Sequence, residues 1–153
     1  MAEMKFMAIS NIALVDTNVL VYASDKSSSF YKIASDIRDK GLNGEINICV
    51  CPQILSEFFA IITSSNRVEN PKSQKQALAE LEKYLRADNI EKIYPGINFM
   101  DYLMDLLRRY KISRQEIFDA QLVAIMLSNG ISKIYTFNKK HFSKFKEIKV
   151  LDL

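Results

Sequence analysis

Apolar positions along this chain fall into two rhythms. Short apolar-rich blocks at 12–16, 46–50, 90–94, 133–137 and 148–151 have the length and composition of buried strands. Between them, apolar residues recur every three or four positions, which predicts helices over 18–24, 30–40, 53–64, 73–87, 97–110, 114–128 and 139–144. The faces expected to pack are Phe30, Ile33, Ala34 and Ile37 in the second helix; Ala77, Leu78, Leu81 and Leu85 in the fourth; and Phe99, Leu103, Leu106 and Leu107 in the fifth. Punctuation agrees with these boundaries. Asp16-Thr17-Asn18 can cap the first helix, and Pro52 suits a first helical turn. Gly41 and Gly44 end the segment 30–40, Ser113 with Glu116 has capping-box spacing, and Gly130 fits a helix C-cap. Strands alternating with amphipathic helices predict an α/β fold, a three-layer α/β/α sandwich with a mostly parallel central sheet. At 153 residues, 48% of them hydrophobic, the chain suits a single domain spanning 1–153.

Composition narrows the function classes. The longest apolar stretches are far too short for a membrane span. Residues 1–20 lack the pattern of a secretory leader, so a cytoplasmic location is expected. Cys49 and Cys51, the two cysteines, share one strand-like run and read as small buried hydrophobes rather than a disulfide framework. The net charge of +3 is unevenly spread: residues 1–70 hold six Lys/Arg against eight Asp/Glu, and residues 133–149 hold six Lys against one Glu. That basic C-terminal segment suits a polyanion or a solvated, lysine-rich edge.

Four acids stand in apolar surroundings. Asp16 ends the run IALVD, Glu57 lies in QILSEFF, and Glu116 and Asp119 open EIFDAQLVAIML. An unpaired buried carboxylate is costly, and several in one cleft would repel each other. A shared hard cation removes both problems, and Mg²⁺ or Mn²⁺ prefers such oxygen donors. Each acid alone has a plainer account: Asp16 as a helix cap, Glu57 on a wet helix face, Glu116 and Asp119 favoured by the helix dipole. In an α/β sheet, however, Asp16 sits at a strand's carboxyl end, Asn138 just beyond another, Glu57 one turn into the helix after strand 46–50 and Asp119 one turn into helix 114–128. The four are therefore expected to converge on one edge, where ligand sites form. The sole histidine, His141, lies in NKKHF and reads as a surface residue. There is no glycine-rich phosphate loop, GxSxG elbow or CxxC pair.

Metal-assisted hydrolysis of a phosphodiester uses this equipment well, with water as nucleophile and carboxylates as metal ligands and proton acceptors. Arg114, Lys139, Lys140, Arg108, Arg109 and Lys111 are candidates for contacts with a nucleic-acid backbone. Two readings of other classes stand beside it. One is a non-enzymatic α/β interaction protein with a degenerate metal site, favoured by Asn138. The other is a phosphoryl-transfer domain with Asp16 as nucleophile, for which Asn18 replaces a second acid.

VDTNVLVYA, QILSEFF and IFDAQLVAIMLSNGISKIYTFN, in that order and at domain-length spacing, resemble the PIN-domain nucleases, and more narrowly the VapC-type toxins of toxin–antitoxin pairs. The resemblance covers nearly the whole chain. It implies metal ligation and catalysis by Asp16, Glu57 and Asp119, with Glu116 matching an acid present in part of the family. Thr17, Asn18 and Thr136 take supporting places. Where the family commonly has TxD, this chain has Thr136-Phe137-Asn138, so Asn138 would offer an amide oxygen without a charge. The activity implied is Mg²⁺- or Mn²⁺-dependent endonucleolytic cleavage of RNA, with a homodimer and a cognate antitoxin as partners. A related nuclease serving RNA processing or acting on DNA, outside any toxin pair, has the same residues.

Overall fold

The computed structural model describes residues 11–153. Residues 1–10 of the amino-terminal stretch that lacks a leader pattern lie outside the described part. Five strands, β1 (Ala13–Val15), β2 (Ile48–Val50), β3 (Ile90–Lys92), β4 (Lys133–Tyr135) and β5 (Lys149–Leu151), form one sheet in the order β3-β2-β1-β4-β5, all parallel. Seven helices connect them: α1 (Thr17–Ala23), α2 (Tyr31–Leu42), α3 (Pro52–Ile62), α4 (Gln74–Leu85), α5 (Phe99–Arg109), α6 (Glu116–Ser128) and α7 (Lys139–Phe142). Helix α1 packs against both α2 and α3, and α3 against α4; α5 packs against α6 and α6 against α7, giving a three-layer α/β/α arrangement. Chain direction across the sheet reverses at β1, whose two neighbours are β2 and β4. The crevice beyond the carboxyl ends of β1 and β4 is therefore the topological switch point.

Burial explains the strand compositions. Central strands β1 and β2 are buried at every position, so both faces must be apolar and alternation is absent. Edge strands β3 and β5 carry Glu91, Lys92 and Lys149, charges that discourage pairing with another chain. The core gathers Leu14, Ile48, Phe58, Tyr84, Met126 and Phe145 among its most enclosed side chains. Cys49 and Cys51 are buried free thiols, as their strand pattern implies.

Each expected strand and helix is present, with boundaries shifted by a few residues. Three packing expectations are corrected. On α5, Leu103 and Leu106 are buried as expected, but Leu107 is exposed. On α2, Ala34 and Ile37 are buried, but Phe30 and Ile33 are exposed. On α4, Leu78 and Leu85 are exposed while Tyr84 goes to the core, its ring edge-on to Phe58 with centroids 6.0 Å apart. The apolar stripe is wider than the buried strip, so periodicity alone places the face only to within one residue. The capping box is also relocated. Helix α6 begins at Glu116 with no side-chain cap, and the Ser113 hydroxyl donates to the Glu116 carboxylate instead, at 2.8 Å. The reciprocal box lies at α4, where the Ser73 hydroxyl accepts from Gln76 N–H at 3.2 Å and the Gln76 side chain accepts from Ser73 N–H at 2.9 Å. Gly130 ends α6 at φ +70°, with Ile131 N–H bonded to the Met126 carbonyl and Gly130 N–H to that of Leu127. This Schellman closure turns the chain directly into β4.

Candidate functional site

At the switch point, β1 delivers Asp16 as the N-cap of α1, and the carboxylate is only 7% exposed. Oδ1 accepts from Thr17 N–H at 2.8 Å, the capping bond. Oδ2 accepts from the fully buried Thr136 hydroxyl at 2.7 Å and from the Asn18 amide at 3.3 Å. Asn18 also ties the two strand ends together, because its Oδ1 accepts from Phe137 N–H at 3.2 Å. The Thr136 hydroxyl accepts in turn from Asn138 N–H at 2.9 Å. Thr17, Asn18 and Thr136 thus hold the Asp16 carboxylate between β1 and β4.

Glu57 comes from the second turn of α3, and its carboxylate accepts from the Thr17 hydroxyl at 3.0 Å. Asp119 comes from the first turn of α6, with Oδ2 lying 3.2 Å from His141 Nδ1 on α7. Asp16, Glu57, Asp119 and Asn138 line a single cleft of about 260 Å³. Burial pushes the Asp16 carboxyl above its ordinary value; the Thr136 and Thr17 bonds pull it back, and the charges of Glu57 and Asp119 raise it further. Asp119 is likewise raised by burial, opposed by His141 and reinforced by Glu57. Neighbouring carboxylates across the cleft thus add to the effect of burial at both Asp16 and Asp119.

The donor set is oxygen only: three carboxylates, an amide and nearby hydroxyls. That chemistry fits a hard divalent cation and does not fit zinc. Among the described residues, no three His, Cys, Asp or Glu side chains are already drawn together as a metal-binding group. The buried, fixed member is Asp16, whereas Glu57 is exposed and Asp119 partly so.

Glu116 takes a different place. Its carboxylate is held by Ser113 and by an ion pair with Lys144, and it is not among the cleft-lining residues. The basic candidates lie off the cleft lining as well. Arg109 pairs with Asp105 at 3.2 Å and Glu147 at 3.3 Å, and Lys139 pairs with Asp152 at 3.1 Å. Arg114 and Lys140 are exposed without an ion pair among the described residues. The cation that does line the cleft is Arg67, from the turn after α3, which sequence reading passed over. Gln53, Tyr22 and Phe118 were missed too. Nothing local in the sequence marks these four, because their role comes from tertiary placement.

The PIN domain family model matches residues 13–148. Ribonuclease VapC24 of Mycobacterium tuberculosis, in two strains, is 24% identical over 138 residues, covering 90% of this chain and 94% of the relative. Among solved structures, Mycobacterium tuberculosis VapC20, a sarcin–ricin loop cleaving toxin, superposes with a TM-score of 0.62 at 16% identity, covering 90% of this chain and 98% of that one. VapBC2 from Rickettsia felis, bound to a DNA fragment from its promoter, gives 0.61 at 18% identity, over 92% and 97% of the two chains. A toxin–antitoxin complex from Klebsiella pneumoniae gives 0.58 at 16% identity, over 92% and 96%.

Proposed function

The chain belongs to the PIN domain family, and from that premise we propose that it is a divalent-metal-dependent endoribonuclease acting as the toxin of a toxin–antitoxin pair. One observation carries the reading: acids from three distant segments, Asp16, Glu57 and Asp119, meet with Asn138 in one cleft at the sheet's switch point. Asp16, Glu57 and Asp119 would hold Mg²⁺ or Mn²⁺ through carboxylate oxygens, with the Asn138 amide oxygen beside them. When bound, such a cation acidifies a coordinated water and offsets charge on the phosphoryl oxygens.

The chain's own residues do the rest. Thr136, Asn18 and the Thr17 N–H aim the Asp16 carboxylate before any substrate arrives. The Thr17 hydroxyl holds Glu57 toward the same space. Asp119 Oδ2 is placed to accept the proton of an attacking water, and His141 Nδ1 at 3.2 Å can relay it to solvent. Arg67 supplies positive charge for a phosphate inside an otherwise acidic cleft. Likeness to the Rickettsia and Klebsiella assemblies supports a small antitoxin partner. Exposed Ile97, Met100, Met104 and Leu107 on and before α5 support a homodimer. No helix among the described residues is long and apolar enough to cross a membrane.

The test is cleavage of varied structured RNAs by the purified protein with Mg²⁺ or Mn²⁺, beside EDTA and Asp16→Ala controls. The reading predicts cleavage that both controls abolish. Intact RNA across all substrates, or cleavage unaffected by Asp16→Ala, would sink it. A short neighbouring reading frame whose product co-purifies with this chain distinguishes a toxin from an RNA-processing nuclease or one that acts on DNA.

A further inference from the structure

Phe118 is conspicuous for where it points. It is 58% exposed on α6, a helix whose Ala120, Leu122, Val123 and Ala124 are buried. It immediately precedes Asp119 and lines the acidic cleft. Its ring pairs with no other aromatic ring among the described residues, in contrast to Tyr22, which lines the same cleft but is locked in a three-ring cluster. In that cluster the Tyr22, Phe30 and Phe137 centroids lie 4.9–5.0 Å apart. The Phe118 backbone is nonetheless anchored, because its carbonyl accepts from Gln53 Nε2 at 3.2 Å across to α3. A wet aromatic side chain on an anchored stretch of backbone therefore stands beside the carboxylates that would flank a scissile phosphate, with Arg67 lining the same cleft.

The occupant that matches an aromatic face, a cation for phosphate and a set of metal-binding acids at once is a nucleotide. A base can lie on Phe118 only if it is out of its own helical stack, since duplex bases present their faces to each other. Resting on the ribonuclease reading above, we propose that Phe118 is the stacking face for an unpaired nucleobase next to the cleaved phosphate, so that this cleft selects single-stranded or looped RNA over duplex. Stacking on an aromatic side chain tolerates any base, so this contact selects for strandedness rather than sequence.

The experiment uses Asp16→Asn protein with Mg²⁺, which holds RNA without turnover, and an RNA strand carrying 2-aminopurine, whose fluorescence dims on stacking. Dimming on binding is expected, with affinity for the annealed duplex roughly tenfold or more weaker. Phe118→Leu keeps the apolar bulk but removes the π face; it should abolish the dimming and weaken single-strand binding by roughly tenfold. Phe118→Trp should preserve both. Because the side chain is exposed, each variant is expected to fold, and circular dichroism checks it. Equal dimming by Phe118→Leu, or equal affinity for strand and duplex, overturns the proposal. So does a Phe118→Leu chain that binds RNA normally but loses a co-purifying antitoxin, which would make Phe118 a protein contact. With all acids intact, RNA cleavage with an unchanged KM in Phe118→Leu removes the stacking role and leaves the nuclease standing. Dimming on Phe118 without any cleavage does the reverse.

Discussion

Replacing Thr136 by valine isolates the bond that makes the buried acid tolerable. Thr136 is fully buried, and its hydroxyl donates to Asp16 Oδ2 at 2.7 Å. Valine fills nearly the same volume, so no cavity term enters; the change removes a hydrogen bond to an ionised group, worth about 1.5–3 kcal/mol. Asn138 N–H loses its acceptor too, but Asn138 is exposed and water can replace it. For a chain of this length each kcal/mol moves the midpoint by about 2–4 °C. The expected drop in Tm at pH 7.5 is thus roughly 3–12 °C, measured by circular dichroism in EDTA. The pH dependence is the sharper reading. The Thr136 bond favours ionised Asp16, so its loss raises a folded pKa that burial has already lifted above 3.8. The variant then binds its proton more tightly when folded than when unfolded, and its stability falls further as pH rises through that window. Below the window Asp16 is neutral in both proteins, and the gap shrinks to that of a neutral hydrogen bond, about 0.5–1.5 kcal/mol. A gap that stays constant from pH 4 to pH 8, or one under about 2 °C at pH 7.5, would refute the reasoning.

Further outcomes are expected. Millimolar Mg²⁺ should raise the Tm of the metal-free protein at neutral pH, EDTA should reverse it, and the increment should fade as pH falls through the raised carboxyl values of Asp16 and Asp119. Asp119→Asn should lower RNA cleavage by on the order of 10²-fold or more. Glu116→Gln should keep most of the activity, since that carboxylate is engaged by Ser113 and Lys144; initial rates on one RNA compare the two. Arg67→Ala should weaken RNA binding and reduce the slope of log affinity against log salt by about one unit, read by anisotropy titrations. Gly130→Ala, at φ +70°, should cost about 1–2 kcal/mol in urea unfolding without changing the slope of the transition.

The fold was legible because short buried strands and amphipathic helices leave different rhythms, and because Pro52 and Gly130 sit where the helices begin and end. Site residues at strand and helix ends were legible for a related reason. A carboxylate such as Asp16, at the end of a fully apolar strand, conflicts with its surroundings in one dimension already. Glu116 shows the limit. Three-residue spacing put it on the same helical side as Asp119, but Lys144, 28 positions later, turned it to an ion pair. Arg67 and Phe118 show the complementary limit: a loop arginine and an exposed phenylalanine are unremarkable until tertiary structure puts them in one cleft with the acids. Departures at Leu78 and Leu85 have the same origin, since the sheet covers only part of an apolar arc.

The bond between Asp16 and Thr136 joins residues 120 positions apart, between the first and fourth strands of the sheet. During synthesis, Asp16, Thr17 and Glu57 emerge early, yet their setting is incomplete until β4 leaves the ribosome and slots in beside β1. A ribosome-bound nascent chain therefore carries its acids without the partner that aims Asp16, and without Asn138 and His141. For a protein proposed to cut RNA, this order of assembly withholds the completed cleft from the nascent chain until β4 has joined β1.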